Sequence, residues 1–240
     1  MSEDQDRTRQ RTSSEVVVHA ATSTVAGVAG ALNPVAGIAA AAVKEFADPH
    51  LVRLFERVRQ DRGERSARVL ATGADEANVS LDRLVHTVES SPDLMALMAE
   101  AVQAAANTPL EAKIIALGRC LGRGVRDDTR VDAERLRVRG LAGIESPEVK
   151  LMELLDTETL PVREHGGRWP GWRRPEILDS LPGFASSLDA SIARLTAEGL
   201  VRDDGIGRYP GEDGYREMWI LTSFGQDCLA LLRAVAPPPS

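Results

Sequence analysis

Histidine, cysteine and paired carboxylates are the side chains from which a metal site or a catalytic base is usually built. This chain spaces them poorly for either purpose. It holds four histidines and two cysteines. No two histidines have metal-ligand spacing. Cys120 and Cys228 are too few and too far apart for a four-ligand zinc site or a disulfide scaffold. The sequence contains no G-x-S-x-G elbow, no H-E-x-x-H, no C-x-x-C and no Walker phosphate loop. His50, His86 and His165 stand in unrelated contexts, and no carboxylate pair is nominated for acid–base work. Gly118, Gly122 and Gly124 in LGRCLGRGV fit neither a P-loop nor a dinucleotide fingerprint. Glycines four apart on a helix instead allow close helix packing, with Cys120 a small buried thiol between them. A non-enzymatic protein is therefore expected, with no catalytic residue, metal or cofactor.

Arginine is the functional group present in quantity. Lysine plus arginine number 29, and only Lys44, Lys113 and Lys150 are lysine. The arginine and alanine excess reads as a high-GC bacterial coding bias, which concerns origin rather than chemistry. Residues 53–68 carry six arginines against Glu56, Asp61 and Glu64. Residues 119–139 carry seven against Asp127, Asp128, Asp132 and Glu134. Such clusters can grip phosphates, but acids interleaved at helical spacing favour solvated faces laced with ion pairs such as Arg57–Asp61. A third basic group, Arg168-Trp169-Pro170-Gly171-Trp172-Arg173-Arg174, combines cations with stacking surface. Docking of its tryptophans against a neighbouring domain is the favoured alternative. The net charge of −7 disfavours non-specific binding to nucleic acid or anionic lipid, while leaving room for a local basic patch.

These groups must be positioned by helices. At 240 residues the chain can bury a core without metal or disulfide. With only 4% aromatic residues, that core must be built from Leu, Val, Ile and Ala, which favours helix over β-sandwich. Residues 1–13 are polar and read as a disordered arm. From Val16 to Val43 there is no Asp, Glu, Lys or Arg. The stretch is long enough to suggest a membrane span, but its Ala, Gly, Val and Thr insert weakly and Asn33-Pro34 divides it. A signal peptide fits poorly. The favoured reading of 16–43 is a hairpin of two close-packed helices with Ala26, Gly30, Gly37 and Ala41 along its seam, buried in the domain or in an oligomer interface. A membrane-seeking hairpin and a single span remain the alternatives.

Helix starts then recur at Asp48-Pro49, Ser91-Pro92, Thr108-Pro109-Leu110-Glu111 (a capping box) and Ser146-Pro147. Apolar stripes follow each, for example Leu51, Leu54, Phe55 and Val58. Residues 14–158 are predicted to form a bundle of about six or seven helices. Residues 159–172 break the rhythm and read as a linker. Residues 173–235 then follow the order helix (Pro175–Leu181), turn (Pro182-Gly183), helix capped at Ser186-Ser187, strand from Leu200, glycine-rich loop, return strand over Glu217–Leu221, and helix capped at Thr222. A short tail, 236–240, closes the chain. The predicted fold is mainly α, an N-terminal helical bundle followed by a smaller domain with a β-hairpin.

That order is the order of a winged helix. SIARLTAEGLV followed by MWILTSFGQDCLALL resembles the winged-helix module of bacterial regulators of the MarR and PadR type, which carry a similar "L..L...GLv" step, a wing and then "LT..G". The resemblance covers about 60 residues. The layout of the N-terminal 158 residues is only loosely similar to uncharacterised helical proteins associated with bacterial phage defence. The module implies DNA binding, with the second helix in the major groove and the wing on the backbone. The residues that would carry it here are Arg173, Arg174, Ser187, Ser191, Arg194 and Arg208. The sequence departs from the pattern, because the reading helix offers outward one base, Arg194, against Asp189 and Glu198. Residues 160–240 as a whole carry nine arginines and eleven acids.

The expectation is a cytoplasmic bacterial regulatory protein whose winged helix binds DNA or a protein partner, with a homo-oligomer among its possible states. The alternative is an effector, in phage defence for instance, that acts through residues 16–43 by oligomerising or by associating peripherally with a membrane.

Overall fold

The computed structural model describes residues 49–157, 171–204 and 217–234. The expected arm, the 16–43 hairpin with Ala26, Gly30, Gly37 and Ala41, most of the linker, Arg208 in the wing loop and the tail lie outside the described residues.

The structure is mainly helical with one small antiparallel sheet. Helix α1 spans Pro49–Ala77, 29 residues. Its chain reverses at Asn78, whose φ of 56° is a left-handed stop that asparagine tolerates. Helix α2 (Leu81–Glu89) starts at Ser80, whose side chain accepts from Arg83 N–H. Helix α3 (Pro92–Ala106) starts at Ser91, whose hydroxyl accepts from Leu94 N–H, with proline in the first turn as the sequence predicts. Helices α4 (Glu111–Arg126), α5 (Val131–Ala142) and α6 (Ser146–Leu155) follow, with a short 3-10 turn at Asp128–Arg130 between α4 and α5.

Two predicted caps are displaced. Thr108 does not cap α4, which begins at Glu111 after Leu110. Its hydroxyl is buried and already engaged, accepting from Leu110 N–H at 3.1 Å and donating to Glu145 Oε2 at 2.9 Å. Helix α6 is capped from Glu145 rather than Ser146, and the Glu148 side chain accepts from Glu145 N–H at 3.0 Å. At Thr108 the distant Glu145 takes the hydroxyl, whereas at α6 the competing signal is itself local, the reciprocal capping box of Glu145 and Glu148.

The dominant packing is α1 against α4, with α3 wedged against both and α5 closing the layer. Sequence spacing anticipates how α1 and α4 approach. A Cβ on Gly118 would lie 2.6 Å from Thr72 Cβ and 2.8 Å from the Val69 carbonyl. One on Gly122 would lie 2.5 Å from the Gly73 carbonyl and 2.6 Å from Glu76 Cβ. The two backbones cross with no room for side chains between them. Cys120 is fully buried beside this crossing.

Beyond α6 the elements are α7 (Arg174–Ser180), a 3-10 turn (Pro182–Phe184), α8 (Leu188–Ala197), β1 (Val201–Asp203), β2 (Trp219–Leu221) and α9 (Ser223–Arg233). Strands β1 and β2 pair antiparallel, with Val201 opposite Leu221 and Asp203 opposite Trp219. Trp172 adds an isolated antiparallel bridge to Trp219 through N–H···O bonds of 2.9 and 3.0 Å. Helix α6 packs on α8, β2 and α9, and α9 in turn touches α4 and α5. The buried apolar residues from Val69 to Leu232 form one contiguous cluster.

Both cysteines lie in it. Burial pushes the Cys120 thiol far up, and the neighbouring Glu134 carboxylate adds to the effect. Burial pushes Cys228 up to about 12. A thiol is nucleophilic only as thiolate. Iodoacetamide at about pH 8 is therefore expected to leave both cysteines unmodified in the folded chain and to alkylate both in concentrated urea, read as two mass additions. Alkylation of either one under native conditions would show that its helix opens.

Candidate nucleic-acid interface

The arginines decide whether this surface can hold a polyanion. In residues 119–139 all seven are taken up by carboxylates, several on other helices. Arg119, Arg123 and Arg126 on α4 converge on Glu76 of α1 at 4.0, 3.4 and 3.6 Å. Arg135 and Arg139 on α5 hold Glu100 of α3 at 2.8 and 3.0 Å. Burial of Glu100 favours its neutral form, but the hydrogen bonds from Arg139 and Arg135 outweigh it and keep the carboxyl below the usual carboxylate range. Arg130 and Arg137 flank Glu134, which is fully buried, and Arg137 also reaches Asp227 on α9 at 3.4 Å. Where such pairs are exposed they contribute only about 0.2–1 kcal/mol each. Their consequence is chemical: the local excess of arginine is neutralised by acids that arrive from elsewhere in the fold.

The arginines of the C-terminal segment behave alike. Arg173 immediately precedes α7. Its side chain meets Glu176 Oε1 at 2.8 Å, and its N–H donates to Glu176 Oε2 at 2.7 Å. Arg174 pairs with Asp189 at the start of α8. Arg194 lies 3.6 Å from Glu148 of α6. Its side chain is 55% exposed while Glu148 is nearly buried. Ser191 was expected to face outward. It is buried instead, and its hydroxyl donates to the same Glu148 at 3.3 Å. The reason is that α6 covers that side of α8. Ser187 is exposed at the α8 N-cap, with no side-chain capping bond. Leu188, Ile192 and Leu195 of α8 are buried. The outward face of α8 is then Asp189, Ala190, Ala193, Arg194, Thr196 and Ala197, whose single base, Arg194, leans on Glu148.

Trp172 is buried rather than free to stack on a base, so this tryptophan docks. A shallow cleft of about 280 Å³ remains at the sheet edge, lined by Arg173, Arg174, Pro175, Glu217 and Trp219. Glu217 and the engaged arginines leave it electrostatically mixed.

Among the described residues three buried charges escaped the sequence reading. Lys113 is 1% exposed, and its three donors are all used, by the carbonyls of Ala142 (3.1 Å) and Ile144 (2.7 Å) and by Glu145 Oε1 (2.9 Å). Glu134 and Glu148 are the others. For Lys113 a signal existed: a rare lysine standing four residues before Leu117 on the apolar stripe of α4.

Among the described residues no group of three His, Cys, Asp or Glu is placed to hold a metal ion, and no helix is long and apolar enough to cross a membrane. Compared with known proteins, the chain matches no family model, no curated protein and no solved structure.

Proposed function

We propose that the chain is a non-enzymatic regulatory protein whose C-terminal segment is a winged helix used to bind a protein partner. In this reading α6 is the first helix of the module, Trp172 its first strand, α7 and α8 the helix–turn–helix, β1 and β2 the wing strands and α9 the closing helix. The chain order and the packing of α6 on α8, β2 and α9 support it. One observation carries the choice of protein over DNA. Arg173, Arg174 and Arg194 are each paired with a carboxylate, and apart from Arg194 the outward face of α8 is alanine, threonine and aspartate. Base readout in the major groove needs free Arg, Lys, Asn or Gln at such positions. Affinity for the backbone needs several uncompensated cations.

The test is fluorescence anisotropy of the full chain with mixed genomic duplexes across a salt series. The expected result is no salt-dependent binding. A log–log slope of about −4 or steeper would mean at least four phosphate contacts and would restore DNA as the target.

A second reading, an effector acting through residues 16–43 on a membrane or a second copy, has one observation behind it. Leu51, Leu54, Phe55 and Val58, shortly after that segment, are 41–56% exposed.

A further inference from the structure

A cleft of about 240 Å³ opens where the bundle meets α9, lined by Arg123 of α4, Arg137 of α5 and Asp227, Ala230, Leu231 and Ala234 along α9. Its polar groups are unevenly used. Arg123 spends only its Nε on Glu76, at 3.4 Å, and neither of its terminal nitrogens has a hydrogen-bond partner among the described residues. Arg137 donates from one terminal nitrogen to Glu134 at 3.0 Å and from the other to Asp227 Oδ2 at 3.4 Å. The second contact is long for a charge-assisted bond, which usually measures about 2.7–2.9 Å. The Asp227 side chain is 61% exposed, and its Oδ1 has no partner among the described residues. The cleft therefore presents an open guanidinium fork, a second guanidinium and a half-used carboxylate. Ala230, Leu231 and Ala234 add an apolar wall.

We infer that this cleft binds a free α-amino acid with a small apolar side chain, valine in size. A simple oxyanion would meet Asp227 as well as the arginines. A simple amine would meet the arginines as well as Asp227. Like-charge repulsion disfavours both, and a zwitterion satisfies both signs. Its carboxylate takes the fork of Arg123 in the bidentate geometry that a planar guanidinium suits, and leans on Arg137. Its ammonium donates to Asp227. Arg137 and Asp227 stand 3.4 Å apart, so the cleft sets its own opposite charges side by side, as an α-amino acid does across one carbon. The volume agrees. At the roughly 30 Å³ that a water molecule takes in the liquid, the cleft holds about eight non-hydrogen atoms, the number in valine. The side chain meets Ala230 and Leu231. Glycine leaves that wall uncovered, and an aromatic amino acid exceeds the space. A ligand held in this way bridges α4 and α5 to α9.

Isothermal titration calorimetry of the full chain tests the site with three probes. They are L-valine, isovalerate (valine without its ammonium) and isobutylamine (valine without its carboxylate). Valine is expected to bind with a Kd of about 1 mM or lower. Each deletion analogue is expected to bind at least about tenfold more weakly, the usual loss of a hydrogen bond to a charged group. Arg123→Gln should weaken valine by a similar factor and erase its advantage over isobutylamine, while Glu76 keeps Arg119 and Arg126. Asp227→Asn changes an exposed side chain without changing its shape, and should erase the advantage of valine over isovalerate. The two variants report on opposite ends of the ligand, so the test stays decisive should one of them fold poorly. Absence of valine binding up to about 10 mM overturns the inference. So does an analogue that binds as tightly as valine, or binding that neither substitution moves. Inorganic phosphate binding more tightly than valine would make the cleft an oxyanion site and also overturns it. None of these outcomes bears on whether the C-terminal module binds DNA or protein.

Discussion

Gly225→Ala is expected to destabilise the chain by about 3–4 kcal/mol, combining overpacking against backbone with loss of a helix cap. Gly225 sits in the first turn of α9, and a Cβ there would overlap the Leu200 carbonyl. That oxygen already accepts from Thr222 N–H at 3.0 Å and from the Thr222 hydroxyl at 3.3 Å. The hydroxyl in turn accepts from Gly225 N–H at 2.9 Å. No side chain stands in the way that could rotate aside, so α9 must lift off the strand. Leu200 beneath it and its own Cys228 and Leu229, all buried, lose their packing. Gly63→Ala supplies the control. Gly63 lies within α1 with nothing within 4 Å of its added Cβ, and removal of a helical glycine there should stabilise by about 0.5–1 kcal/mol. Urea unfolding of the two variants should therefore move in opposite directions. A Gly225→Ala protein as stable as its parent would mean that the α9–β1 junction is looser than its geometry.

The same junction explains which parts of the fold could be read from the sequence. The "GLv" and "LT..G" steps are local necessities. Gly199 has φ of 69°, a left-handed turn that ends α8. Leu200 and Val201 are buried as the chain enters β1. Thr222 caps α9 while binding the backbone of residues 199 and 200. Gly225 is the glycine that close approach demands. Each requirement falls within a few residues of the letters that reveal it, as does the Ser91-Pro92 helix start. The glycines of α4 are legible for the same reason: spacing alone reports a close crossing, though not that α1 is the partner.

What stayed hidden depends on residues distant in the chain. Ser191 is placed on an exposed face by helical periodicity and is buried because Glu148, 43 positions earlier, comes to meet it. The bases of residues 119–139 look like a cluster of seven. They are neutralised partly by Glu76 and Glu100, whose arrival depends on how α1 and α3 pack. Net charge along the sequence cannot distinguish a free arginine from a paired one, and the candidate interface turns on that distinction. The sequence did carry the decisive hint in another form: Asp189 in α8 and Glu198 just after it outnumber the single base, and the fold adds Glu148 beside that base.

Lys113 offers the second large effect and the sharpest contrast between lysine and arginine in an arginine-rich chain. Lys113→Met is expected to cost about 3–5 kcal/mol, the range for breaking a buried charge cluster from one side. For a chain of this size that lowers the unfolding midpoint by roughly 2–4 °C per kcal/mol. The ammonium ties the start of α4 to the turn between α5 and α6, and Thr108 reaches the same Glu145 from the other side. Methionine fills the space but leaves two carbonyls and a carboxylate without their donor. Glu145 keeps some contact with water, its side chain being 37% exposed, which favours the lower end of the range. Lys113→Arg should not rescue. Three acceptors converge on one small point charge, and a planar guanidinium can neither place its fork there nor fit a site that is 1% exposed, so a loss of about 1–3 kcal/mol is expected. The turn that Lys113 holds leads directly into α6, the helix that contacts Ser191 and Arg194. Loosening it should free α6 and α8 before the α1–α4 crossing, seen as faster amide exchange over residues 146–155 and 188–197 than over 111–126. Uniform acceleration across all three segments would instead mean that the bundle and the C-terminal elements unfold as one unit.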